Sequence, residues 1–163
     1  MNIFITGNPR CGKSTLIKKL IENLPNKITG IITPEIRVND VREGFKIIDL
    51  ASKEEKILAS INIQKGPNVS KYKVSIENID YIVDKFMESF NNATFVIIDE
   101  IGMMEFYSKK FKEMIDMVLN SNKIIIATLS KKLVKRYKDK GQVIYLKRKN
   151  FDEIFNNVLE LIN

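Results

Sequence analysis

Gly7-Asn8-Pro9-Arg10-Cys11-Gly12-Lys13-Ser14 has the spacing G-x-x-x-x-G-K-[ST], and its flanks decide how the chain folds. Asn2 to Thr6 is a short apolar run that reads as a strand. After Gly12, the residues Leu16, Ile17, Leu20, Ile21 and Leu24 recur at helical spacing. Strand, tight turn and helix in that order point the loop N–H groups inward, and the helix N-terminus adds about half a unit of positive charge, so the turn is built to hold phosphate oxygens. Gly7 and Gly12 keep side chains out of the cradle, and Asn8, Pro9, Arg10, Cys11 and Thr15 complete it. Lys13 is placed to reach the β- and γ-phosphates, and the Ser14 hydroxyl to ligate Mg²⁺. The motif forces neither Arg10 nor Cys11. Arg10 either adds charge near the γ-phosphate or faces solvent, and Cys11 is either a small space-filler or a modification site.

Pro25 and Asn26 stop the first helix, and Ile28 to Thr33 reads as a second strand ending at Pro34. Helical spacing returns with Ile76, Ile79, Val83, Phe86 and Phe90, and again from Phe111 to Leu119. Strands are expected at Phe95 to Ile98, Ile124 to Thr128 and Gln142 to Leu146, a basic helix around Ser130 to Lys138, and a last helix from Phe151 to Ile162. Ile3-Phe4-Ile5, Val96-Ile97-Ile98 and Ile124-Ile125-Ile126 are continuous apolar runs, the pattern of strands buried on both faces, so an α/β fold with a mostly parallel sheet flanked by helices is expected. Between Glu35 and Val74 the pattern changes to period two, at Gly44 to Leu50 and Ile57 to Ile63. Residues 35–74 are therefore expected as antiparallel hairpins, extending the sheet or forming a flap at its edge. At 163 residues, one domain spanning 1–163 with this hairpin insertion is the natural reading.

Phe95-Val96-Ile97-Ile98-Asp99-Glu100 is an apolar strand closed by two acids. In a phosphate-transfer site such a pair divides the work: Asp99 holds the Mg²⁺ shell, and Glu100 polarises the attacking water. With no histidine in the chain, Glu100 is the best general-base residue. Glu105 either caps the helix starting near Ser108 or faces the site. Thr128 ends its strand either as a γ-phosphate sensor or as a helix cap in competition with Ser130.

The absence of histidine excludes a His-Asp triad and a His₃ zinc site, and the lone cysteine excludes an internal disulfide. That cysteine usage fits a reducing, cytoplasmic setting. No apolar run approaches membrane-spanning length, and Met1 to Thr6 leaves no room for a signal peptide before the glycine-rich turn. The formal charge of +7 is local: residues 131–149 hold nine basic residues and one acid. Such a patch attracts polyanions or is a solvated face. Only Tyr137 and Tyr145 accompany it, so nucleic acid is a partner the segment allows without favouring.

Beyond the loop, the stretches Gly30-Ile-Ile-Thr-Pro-Glu-Ile-Arg37, Gly44-Phe-Lys-Ile-Ile-Asp-Leu50, Lys71-Tyr72-Lys73-Val74, Val96-Ile-Ile-Asp-Glu-Ile-Gly-Met-Met-Glu105 and Ile126-Ala-Thr128 give a resemblance over nearly the whole chain. The chain resembles the small P-loop nucleoside-triphosphatases typified by the cancer-related nucleoside-triphosphatase. The resemblance implies a RecA-like fold and Mg²⁺-dependent hydrolysis of ATP, GTP and other nucleoside triphosphates to diphosphates. It also implies phosphate, metal and water-activating roles for Lys13, Ser14, Asp99 and Glu100. Arg37 falls where the chain leaves the second strand toward the phosphates, either to stabilise transition-state charge or to pair with Glu35 or Asp40. Arg148 and Asn150, in a strand-to-helix loop of the kind that often lies beside the base, are candidate base-side residues. The chain departs from the family at Arg10, where glycine is usual, and at Phe151, where an arginine commonly follows the asparagine. Two other readings stay open: a small nucleoside or metabolite kinase, and a nucleotide-gated nucleic-acid-binding switch.

Overall fold

The computed structural model describes residues 1–25 and 27–163; Asn26, assigned above with Pro25 to the end of the first helix, lies outside the described residues. In chain order the elements are β1 (Asn2–Gly7), α1 (Lys13–Asn23), β2 (Ile28–Ile32), β3 (Glu35–Val38), β4 (Val41–Asp49), β5 (Glu55–Ser60), β6 (Asn68–Val69), β7 (Tyr72–Val74), α2 (Ile76–Phe90), β8 (Phe95–Ile101), α3 (Lys109–Leu119), β9 (Ile124–Leu129), α4 (Val134–Tyr137), β10 (Gln142–Leu146) and α5 (Phe151–Ile162). The strands form one sheet in the order β10-β1-β9-β8-β2-β4-β5-β7-β6, with β3 paired to β4 off this path. The first five are mutually parallel. From β4 onward the pairing is antiparallel, so the hairpin region extends the same sheet.

Successive side chains of the parallel strands go to opposite faces, which is why their sequences are apolar throughout. Phe4, Val96, Ile98, Ile125 and Ala127 pack on the face carrying Ile82 and Phe86 of α2 and Phe111 and Ile115 of α3. Ile3, Ile5, Ile97 and Ile126 pack on the other, against Leu16, Ile17 and Leu20 of α1 and Ile154, Phe155 and Val158 of α5. Because the five strands are parallel, their C-terminal ends share one edge, and the loops there form the crevice in which such sheets bind ligands.

The structure revises some boundaries. The basic helix expected around Ser130 to Lys138 is mixed in type: 3₁₀ turns at Lys131–Leu133 and Lys138–Lys140 abut the single turn α4. Cations at helical spacing, Lys131 with Lys135 and Lys132 with Arg136, repel one another, and buried Leu133 and Tyr137 anchor the segment instead. β5 covers Glu55–Ser60 rather than Ile57 to Ile63, because Ile57 and Ile61 face solvent and break the expected alternation. β3 and β4 are joined through Asn39 and Asp40, both at positive φ (51° and 62°), and form a projecting ribbon. No helix among the described residues is long and apolar enough to cross a membrane.

Candidate active site

β1 delivers Gly7 to the shared edge, and the loop returns through Gly12 at φ 103°, a left-handed conformation that suits glycine. No side chain caps the first turn of α1, so its backbone N–H groups remain available to an anion. Lys13 Nζ donates to the carbonyls of Gly7 and Asn8, each at 3.2 Å, and so spans the mouth of the loop. Asn8, Pro9, Arg10, Ser14 and Thr15 are exposed on its rim. Cys11 is buried, its Sγ so close to Gly7 that a Cβ there would meet it at 2.7 Å, which makes it a packing residue of the loop.

β8 and β9 place their polar ends beside this loop. Asp99 is buried, and its carboxylate accepts a hydrogen bond from the Thr128 hydroxyl, with the Ser14 hydroxyl nearby. Thr128, fully buried, is thus spent on Asp99 rather than on capping the next turn. Burial pushes the Asp99 carboxyl up, against the opposing pull of the Thr128 and Ser14 hydroxyls and of Lys13. Glu100 is raised by burial and then by the neighbouring Asp99 charge, with Lys13 opposing. The Asp99–Glu100 peptide bond is cis.

Gly102 lies between two carboxylates: a Cβ there would meet Glu100 Oε1 and Glu105 Oε2 at 2.9 Å each. Ser108 caps α3 itself, accepting the Phe111 N–H at 3.0 Å. Glu105 therefore does not cap α3 but turns toward the site, 3% exposed. Its carboxyl is pushed up to about 8, by burial first and then by the Glu100 and Asp99 charges, against the opposing pull of its own and the Gly102 N–H groups. It holds a proton at neutral pH.

On the ribbon side, Arg37 Nε donates to Glu35 Oε2 at 2.8 Å and Arg37 Nη1 to the Asp40 carbonyl at 2.9 Å. On the opposite side of the loop, a cleft of about 310 Å³ is lined by Arg10, Cys11, Gly12, Thr15, Arg148 and Phe151. Arg148 donates from Nε and Nη2 to the Arg10 carbonyl at 3.3 and 3.2 Å. The Asn150 amide is held within its own loop: Oδ1 accepts the Lys147 N–H at 2.7 Å and Nδ2 donates to the Tyr145 carbonyl at 3.2 Å. It shapes the turn that presents Arg148 and Phe151. Two contributors escaped the sequence reading. Phe151 packs its ring beside Gly12, and Lys131, the first residue of the basic segment, donates to Asn8 Oδ1. An aromatic directly after the loop asparagine was the available signal for Phe151; nothing local distinguishes Lys131 from its basic neighbours.

A phosphate loop after the first strand, an acidic end on β8 and a polar-ended strand, β9, between them define a P-loop nucleotide-hydrolase architecture. The NTPase family pattern matches residues 2–159, and the chain belongs to this nucleoside-triphosphatase family. Nucleoside-triphosphatase THEP1 of Methanocaldococcus jannaschii is 44% identical over 166 residues, covering 99% of this chain and 97% of the relative. The THEP1 of Thermotoga maritima is 38% identical, covering 99% and 95%. The crystal structure of THEP1 from the hyperthermophile Aquifex aeolicus superposes with a TM-score of 0.87 at 32% identity, over 99% of this chain and 98% of that one. The solution structure of a human cancer-related nucleoside triphosphatase shares the fold, with a TM-score of 0.80 at 23% identity over 99% and 97% of the two chains.

Proposed function

We propose that residues 1–163 act as one unit that hydrolyses nucleoside triphosphates, ATP and GTP among them, by in-line attack of water on the γ-phosphorus. The observation that carries this reading is the Thr128–Asp99 hydrogen bond at the end of β8 beside the phosphate loop, with Ser14 near the same carboxylate and Glu100 one residue further on. Loop N–H groups and Lys13 hold the β- and γ-phosphates and offset the charge that develops as the bond to the bridging oxygen breaks. Glu100 accepts the proton of the attacking water, and its raised pKa suits a group that must take one. Thr128 keeps Asp99 oriented. Arg37 faces the same reaction from the ribbon, while Arg148 and Phe151 border the cleft that takes the base and ribose, with Asn150 shaping their loop.

The Ser14 hydroxyl and the nearby Asp99 carboxylate are hard oxygen donors, a pair that fits Mg²⁺. When bound, that ion supplies charge neutralisation on the β- and γ-phosphate oxygens. A cytoplasmic setting suits a loop that carries the chain's single cysteine. Nucleic acid is outside this reading. Within the basic segment Tyr137 is buried, so Tyr145 is the one exposed aromatic ring available for stacking.

The test is turnover of each Mg²⁺-nucleotide, with and without added acceptors, by the wild type and Glu100→Gln. The variant is expected to bind nucleotide normally and to lose ~10²-fold or more in rate. Near-normal hydrolysis would overturn the role of Glu100. Lost hydrolysis with retained phosphorylation of an acceptor would replace hydrolase with kinase.

A further inference from the structure

A second cleft, of about 340 Å³, opens between the phosphate loop and the β3–β4 ribbon, lined by Arg10, Arg37, Asp40, Arg42, Lys71 and Tyr72 among others. Three separate segments converge there: the loop contributes Arg10, the ribbon Arg37 and Arg42, and the β6–β7 turn Lys71. The two ribbon arginines are braced rather than free to swing. Glu35 accepts from both, Arg37 Nε at 2.8 Å and Arg42 Nη1 at 3.2 Å. Arg42 Nε also donates to the Tyr72 hydroxyl at 2.9 Å, and its guanidinium lies 5.2 Å from the centre of the Phe45 ring. The Nη2 groups of Arg37 and Arg42 have no partner among the described residues, and neither Lys71 nor Arg10 has an ion pair among them.

Four cations around one concavity, against only Asp40 and the shared Glu35, repel one another, and an anion placed among them relieves that repulsion. Planar guanidinium groups with spare N–H donors match the oxygens of a phosphoryl group in paired contacts. We propose that this cleft is a second anion site, which binds a phosphate dianion, free or as a monoester, while nucleotide occupies the phosphate loop. Arg10 lines both this cleft and the one beside Phe151, so an occupant here touches the residue that borders the nucleotide. The anion has two chemical sources: the phosphate released from the nucleotide, or the phosphate ester of a second molecule.

Calorimetric titration of the protein saturated with Mg²⁺ and AMP-PNP, whose three phosphates fill the loop, tests this without depending on turnover. Inorganic phosphate and methyl phosphate are the two probes. Saturable binding of at least one is expected, weakened about tenfold by Lys71→Gln and by Arg42→Gln, with the affinity for AMP-PNP unchanged. Tighter binding of inorganic phosphate supports the site with the released product as its ligand, and tighter binding of the methyl ester supports it with a second substrate. Arg42→Gln also removes a pair with Glu35, so Lys71→Gln, which breaks no ion pair among the described residues, carries the test on its own. The proposal is overturned if neither probe binds saturably, or if Lys71→Gln binds both as tightly as the wild type.

Discussion

The parallel half of the sheet and the β3–β4 ribbon hold their polar side chains in opposite ways. In the parallel half, Thr6, Asp99 and Thr128 are buried and bonded, Thr6 Oγ1 to the Leu129 carbonyl at 2.8 Å and Thr128 to Asp99. On the ribbon, Glu35, Arg37 and Arg42 pair with their side chains 38% to 44% exposed. A buried polar group that loses its partner costs about 1–3 kcal/mol, whereas an exposed ion pair contributes about 0–1 kcal/mol. The buried half therefore loses much stability when one partner is removed, whereas the ribbon arginines are braced by exposed pairs that add little to stability. Burial pushes the Glu35 carboxyl up, but the hydrogen bonds from Arg37 and Arg42 outweigh it and hold the group below its ordinary value.

That contrast breaks most visibly at Lys13. If Lys13 holds the phosphates as proposed, Lys13→Ala should keep the fold and lower hydrolysis by about 10²–10³ in a steady-state assay. A rate within threefold of wild type would mean that the loop is not the phosphate site.

Glu105 sharpens the contrast through pH. The folded state holds its proton up to about pH 8, while the unfolded chain releases it near 4.5, the ordinary carboxyl value. Between those two values the native state binds more protons than the unfolded state, so this group's contribution to stability declines as pH rises through the window and is level above it. The decline is on the order of a few kcal/mol. Urea unfolding at pH 5 to 9 should show it in the wild type and a flatter profile in Glu105→Gln; identical profiles would count against a buried neutral carboxyl.

Thr128→Val keeps the shape and deletes the hydrogen bond to Asp99. A loss of about 1–3 kcal/mol in urea unfolding is expected, together with a lower kcat. At the other end of the scale, Glu35→Gln removes an exposed partner of both ribbon arginines and should change stability by less than about 1 kcal/mol. A larger loss would show that the ribbon is held as firmly as the parallel strands.

Continuous apolar runs and the glycine-lysine-serine spacing were enough to read the parallel half, because a strand buried on both faces leaves little choice of residue and a phosphate cradle needs those residues at that spacing. Asp99 and Thr128 were legible as strand ends. That each would be the other's hydrogen-bond partner was not, since β8 and β9 meet only through the sheet. The basic segment is helical where its spacing placed a helix, but its ends wind as 3₁₀ turns and buried Leu133 and Tyr137 pin it, which its charge density did not reveal.

Local spacing determined the phosphate loop, its strand and helix, and the acidic strand end, since each depends on residues within about two helical turns of one another. Tertiary structure alone decided that Glu105 would turn toward Glu100, that Lys131 would reach Asn8, that Phe151 would border the loop, and that Arg10, Arg37, Arg42 and Lys71 would share one cleft. Most of these groups come from segments far apart in the chain; Glu105 and Glu100, close in sequence, are directed by the buried turn at Gly102. Burial and proximity set what each does, and neither is a property of the residue or its immediate neighbours.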